Sequence, residues 1–175
     1  EGESAFIRAA DWTPVIESAT AVLGGVSKDL EVVAWLIEAL TRVHGFRGVR
    51  AGFALARGLI ETYRADLHPR PDDEGVSAQL AALTGLNGFG AEGALISPLK
   101  AIPLTAGSPP APFSTWQCEQ AFDLDRISDP AKREARSKRG FVTRDDIDRA
   151  VADTPPSFFQ ALHAELTAAV AEFER

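Results

Sequence analysis

The chain has 175 residues and a mass of 18.7 kDa, with 45% hydrophobic and 25% charged side chains. That length suits one domain with a sizeable core, and that composition excludes a disordered or fibrous chain. The net charge of −7 is spread along the chain, with 12 acids to 8 bases through Gly88 and 13 to 10 after it, whereas a nucleic-acid binder would normally show a basic excess on one face.

Apolar residues recur at helical spacing almost throughout. Trp12, Val15, Ile16, Ala19, Val22 and Leu23 fall on one face of a first helix, with Asp11 as N-cap and Gly24 and Gly25 as its stop. A second helix is predicted to open at Ser27, whose hydroxyl can accept from free backbone amides, while Asp29 and Glu31 suit the positive end of the dipole. Val32, Val33, Leu36, Ile37, Leu40 and Val43 form its broad stripe, with Trp35 beside it. Gly45 follows its end, where glycine adopts a left-handed backbone at little cost. In the third helix Val49, Phe53, Ala56, Ile60, Tyr63 and Leu67 step alternately by four and three, the seam of a helix packed nearly antiparallel on a neighbour. Arg50, Arg57 and Arg64 repeat on another face. This helix must end before Pro69, and the Pro- and Asp-rich stretch 68–75 reads as a loop.

A shorter helix fits 76–83, followed by the glycine-rich stretch 85–93. Another fits 94–101, where Pro98 costs an internal bond unless it lies in the first turn. Residues 105–113, with Ser108-Pro109-Pro110-Ala111-Pro112, read as a stiff irregular connector, and 102–104 leave room for a short extended pairing. Ser114-Thr115-Trp116-Gln117 is a capping box that opens a helix toward Phe122. Residues 123–142 read as a charged linker segment: Lys132, Arg133, Arg136, Lys138 and Arg139 follow Asp123, Asp125 and Asp129, the alternating blocks of a solvated helix. Thr143-Arg144-Asp145-Asp146 opens a further helix. Thr154 before Pro155 is the predicted N-cap of the last one, which has Phe159, Leu162, Leu166, Val170 and Phe173 along one face. No segment alternates long enough to be a core strand. The expected fold is all-α: a single compact multi-helix domain over 1–175 with antiparallel-packed helices and a Gly/Pro-rich irregular connector.

Motifs for chemistry are weak. Gly88-Phe89-Gly90-Ala91-Glu92-Gly93 has the spacing of a dinucleotide loop, but a helix precedes it where a strand is needed, and Glu92 would repel phosphate. A flexible loop is the better reading. His44, His68 and His163 have no histidine or cysteine at ligand spacing. Cys118, the one cysteine, excludes a disulfide within the chain, suits a reducing compartment and reads as a small buried hydrophobe. The acidic pairs Asp72/Asp73 and Asp145/Asp146 read as turn and helix-start residues. Trp12, Trp35 and Trp116 read as core or interface anchors. No apolar run approaches a membrane span.

Ser27-Lys28-Asp29-Leu30, Ala34-Trp35-Leu36, Ala39-Leu40, Gly45-Phe46-Arg47-Gly48, Gly58-Leu59-Ile60-Glu61-Thr62-Tyr63 and Leu67-His68-Pro69 follow one another in an ordered series. That series resembles the ImpA N-terminal domain, found at the start of TssA-type proteins of bacterial type VI secretion systems. Asp11-Trp12, Leu86-Asn87-Gly88, the stretch 98–105 and Pro112-Phe113-Ser114 extend the likeness. It departs at Arg64, where the family usually has a second aromatic, and in lacking the family's early proline–glycine–acid segment. With no methionine and a start at Glu1, the chain is expected to be a piece of a longer protein.

The resemblance implies a cytoplasmic, non-enzymatic assembly protein that serves the baseplate and the priming or capping of the tail sheath. It implies no catalytic, cofactor-binding or metal-ligating residue and no cofactor. Lys28, Asp29, Trp35, Leu36, Gly58, Tyr63, His68 and Pro69 would be structural signature positions. The implied partners are other type VI secretion components (baseplate, sheath, tube or membrane-complex proteins), without nucleic acid or membrane insertion. The full-length protein would be homo-oligomeric through a missing C-terminal region. An interaction domain predicts an exposed apolar or arginine-lined groove. Two alternatives predict otherwise: a small helical enzyme needs a deep polar pocket with perturbed carboxylates, and a regulatory domain needs a ligand-binding pocket.

Overall fold

The computed structural model describes residues 10–71, 73, 75–88, 91–137 and 140–175. Asp72, Phe89, Gly90, Lys138 and Arg139, named above, lie outside the described residues. Among those described, the apolar periodicity becomes nine helices: α1 (Thr13–Gly25), α2 (Leu30–His44), α3 (Phe46–Tyr63), α4 (Val76–Asn87), α5 (Ile96–Lys100), α6 (Thr115–Asp125), α7 (Pro130–Ser137), α8 (Arg144–Asp153) and α9 (Pro156–Phe173). One two-residue parallel pair departs from an all-helical chain: β1 (Lys28–Asp29) beside β2 (Leu67–His68), with Lys28 opposite Leu67.

The centre of the molecule is the α2–α3 corner. Gly45 turns it at φ 58°, as the sequence predicts. Two glycines of α3 then let the helices close. A Cβ on Gly48 would strike the Leu40 carbonyl, and one on Gly52 would sit 2.7 Å from Ile37 Cγ1. Leu30, Val33 and Ile37 of α2 are completely buried here, against Ala19 and Leu23 of α1, Leu59 of α3, Leu67 of β2, Leu86 of α4 and Leu95. α1 and α4 pack on α2, and α9 returns from the far end of the chain onto α3.

Several boundaries differ from expectation for identifiable reasons. Trp12, not Asp11, occupies the N-cap position of α1; the Asp11 carboxylate accepts the Thr13 N–H at 3.0 Å from one residue further out. Ser27 does not open α2, because the next two residues are taken by β1. Asp29 is the N-cap and accepts the Glu31 N–H at 2.8 Å. α4 runs past Leu83 and through Gly85 because Leu86 is a core residue. Pro98 is the third residue of α5, inside the first turn, where its missing N–H costs nothing. The capping boxes at Ser114/Gln117 and Thr143/Asp146 form as predicted. So does the short extended pairing: Pro103 bridges Ser114, and the Leu104 N–H donates to the Phe113 carbonyl at 2.8 Å. Thr154 is not the cap of α9. It is buried, donates to the Ala150 carbonyl at the end of α8 and accepts the Ala106 N–H at 2.9 Å, so Pro155 fills the cap position.

Candidate interaction surface

An apolar groove of about 410 Å³ lies between α3, the α4–α5 turn and α9. α3 supplies Phe46, Val49 and Phe53 to it. The end of α4 and the start of α5 supply Leu83, Leu86, Ile96 and Leu99, and α9 supplies Leu166, Ala169, Val170 and Phe173. Val49, Leu86, Leu95 and Ala169 are buried in the lining, whereas Leu166, Val170 and Phe173 remain 40%, 46% and 54% exposed. Phe173 is fixed edge-on against Phe53, with ring centroids 5.0 Å apart. Asn87, Lys100 and Thr115 are the polar lining residues, and the Lys100 ammonium is engaged by Glu119 at 3.0 Å.

α9 is held in place by charge as well as packing. Arg47 Nε donates to Glu165 at 2.6 Å, and Arg57 Nε donates to Glu172 at 2.8 Å, which ties both carboxylates of α9 to α3. The hydrogen bond from Arg57 holds the Glu172 carboxyl below its usual range. These bonds turn the helix so that Glu165, Ala169 and Glu172 lie toward α3. The predicted apolar face of α9 therefore divides: Phe159 and Leu162 are half-buried, while Leu166, Val170 and Phe173 form an open wall. Periodicity revealed the stripe. It did not reveal which part lacked a neighbour, although the want of free charge along α9 was a readable signal.

Five signature positions come together around the strand pair, away from the groove lining. The Lys28 ammonium donates to the Leu23 carbonyl and lies 5.1 Å from the centre of the Tyr63 ring. Asp29 caps α2 and pairs in register with His68, which Pro69 follows. A polar cleft of about 310 Å³ opens here beside Asp66, His68 and Arg70. Its cations are engaged by the chain itself, since Arg70 donates to the Ala65 carbonyl and lies 3.9 Å from Asp66. The other three positions lie elsewhere. Leu36 is buried, Trp35 is 58% exposed, and a Cβ on Gly58 would meet nothing within 4 Å.

The ionisable groups do not converge. Among the described residues no three His, Cys, Asp or Glu side chains form a group able to hold a metal. Asp11, Asp146 and Glu172 are all shifted downward. The Thr13 N–H does this for Asp11, the Thr143 hydroxyl and N–H for Asp146, and Arg57 for Glu172. A general acid needs the opposite displacement. Cys118 is half-buried and burial pushes its thiol up, away from a reactive thiolate. The glycine motif closes a chain reversal: Ala94 and Leu95 N–H groups donate back to Gly85 and Leu86, and a Cβ on Gly88 or Gly93 would strike backbone. Its described part is thus a tight corner rather than a flexible loop. Among the described residues no helix is long and apolar enough to cross a membrane.

Comparison with known proteins agrees with this architecture. Residues 4–88 match the family described as ImpA, N-terminal, type VI secretion system. Among curated proteins, none matches the chain by sequence. A solved structure, the N-terminal domain including the conserved ImpA_N region of the TssA component of the type VI secretion system from Burkholderia cenocepacia, is similar to it at TM-score 0.85 and 30% identity. The likeness covers 95% of this chain and 65% of that one, so the chain spans just under two thirds of its neighbour's length. Sequence and fold therefore agree in their likeness: residues 4–88 match the ImpA N-terminal region of the type VI secretion system, and the chain folds as a helical domain similar to that of TssA.

Proposed function

We propose that this is a non-enzymatic protein–protein interaction domain of a cytoplasmic type VI secretion assembly component, acting on the baseplate or tail sheath. The observation that carries the reading is the groove. It is long, apolar and open, and its exposed wall of Leu166, Val170 and Phe173 is fixed rather than collapsed. Solvent-exposed apolar rows of this kind mark docking sites, and a helix laid in such a groove buries its own Leu, Ile or Phe anchors. The rival reading as an enzyme lacks support, because the displaced carboxylates sit in capping and ion-pair roles on separate elements.

The test is capture of purified baseplate, sheath and tube proteins from the same secretion cluster by the immobilised chain. Val170→Glu places a charge in the groove wall and should weaken capture at least about tenfold, as for a buried interface anchor. Arg70→Ala, outside the groove lining, should leave capture unchanged. Equal capture by Val170→Glu, or no capture of any of these proteins, would overturn the reading.

A further inference from the structure

The solvent-facing edge of α2 repeats one chemical pattern, and only its second half is complete. Glu31, Trp35, Glu38 and Arg42 are spaced four, three and four apart, which at about 100° per residue places them within about 60° of one another on one stripe. At the C-terminal end of the stripe a guanidinium is held between a tryptophan and a carboxylate. Arg42 Cζ lies 4.6 Å from the centre of the Trp12 ring, and Arg42 Nη2 and Nε donate to Glu38 at 2.7 and 3.0 Å. At the N-terminal end Glu31 and Trp35 are again a carboxylate and an indole one turn apart, and both are exposed. Among the described residues no cation pairs with Glu31 or lies over Trp35. The cation nearest in sequence, Lys28, is committed to the Leu23 carbonyl and the Tyr63 ring.

We propose that the Glu31–Trp35 end of the stripe receives an arginine side chain from another protein, stacked on the indole and bonded by the carboxylate as Arg42 is by Trp12 and Glu38. Charge complementarity selects the cation. Arg42 cancels Glu38, so Glu31 leaves the stripe one negative charge, and the chain as a whole carries −7, which draws basic partners. Arginine fits better than lysine, because a planar, weakly hydrated guanidinium stacks on an indole and bonds a carboxylate at the same time. A protein is the source, because one cation–π contact at an exposed site is worth only about two- to fivefold in affinity, so the arginine has to be one anchor of a larger contact. The stripe shares no residue with the groove, so this site and the groove reading stand or fall separately.

Random peptides displayed on phage, selected on the immobilised 175-residue chain and depleted on Trp35→Ala, test this at about 0.15 M salt, where general attraction to the net charge is screened. Sequences that need Trp35 should share an arginine. In synthesised peptides, citrulline in place of that arginine keeps the shape, removes the charge and should weaken binding at least about tenfold. Glu31→Gln in the chain should weaken it about fivefold. Both side chains are exposed, so the circular dichroism of both variants should match the parent. Should Trp35→Ala fail to fold, Glu31→Lys serves for the depletion, since it repels an incoming arginine. Trp35-dependent peptides without arginine, arginine peptides that bind Glu31→Gln as well as the parent chain, or no Trp35-dependent peptides at all overturn the proposal. So does a Trp35-dependent dimer in sedimentation equilibrium of the chain alone, which makes a second copy the arginine donor.

Discussion

At the scale of single residues, two glycines of α3 have opposite meanings. Gly48 faces the Leu40 carbonyl so closely that an added methyl must push α2 and α3 apart. Gly48→Ala should therefore lower stability by about 1–3 kcal/mol, the range for overpacking, even though alanine gains about 1 kcal/mol in helix propensity. Gly58 has open space around its Cα. Gly58→Ala should raise stability by about 0.5–1 kcal/mol. Urea midpoints of the two variants should move in opposite directions with unchanged slopes, and a shared direction would contradict the helix-crossing geometry. Glu172 has a different signature. Its carboxyl is depressed in the fold by Arg57, so the bond contributes stability that is present above the ordinary glutamate value of 4.5 and is lost as pH falls through the depressed value. Glu172→Gln should flatten that acid limb. Thermal midpoints measured from neutral pH down through this window should fall less for the variant than for the parent chain.

Among elements, local chemistry set the starts of α6 and α8, whereas non-local pairing moved those of α2 and α9. Capping boxes need only residues three apart, so Ser114/Gln117 and Thr143/Asp146 were legible from the sequence and form as read. Thr143→Ala should cost about 1 kcal/mol, measured by chemical denaturation, because α8 loses a cap whose hydroxyl and amide both bond Asp146. Serine in its place should recover most of that. The strand pair escaped prediction because two residues carry no alternation, and its register depends on Leu67 arriving beside Lys28 from 39 positions along the chain. α4 outran its glycine because burial of Leu86 outweighs a propensity penalty of about 1 kcal/mol. For the candidate surface, the row on α9 was readable as apolar. Its exposure was not, since that follows from Arg47 and Arg57 fixing the rotation of α9 across a separation of more than 100 residues.

The molecule as a whole has a two-level architecture. The main core joins α1 to α5 with β2, and none of its buried members comes from α6, α7 or α8. α6 and α8 pack on each other instead, with Ala121, Leu124 and Ala150 buried. Links between the levels include Lys100 to Glu119, Thr105 to the Phe113 N–H at 2.8 Å, the Pro103–Ser114 bridge, and Thr154 to the Ala106 N–H. A smaller cluster should open at lower free energy than the rest. Amides of α6 and α8 are therefore expected to exchange with solvent faster than those of α2 and α3 under native conditions. Thr154→Val keeps the shape but leaves the Ala106 N–H without its acceptor, at a cost of about 1–3 kcal/mol. That variant should speed exchange in α6 and α8 and leave the slowest amides of α2 at their parental rates when opening there is local. Equal protection across α2 and α6 would mean that the small cluster shares the full cooperativity of the core. The groove lies on the main core and α9, so the same experiment shows whether the docking wall belongs to the rigid level: Leu166 and Val170 amides should keep the protection of α3, to which Glu165 and Glu172 bind them.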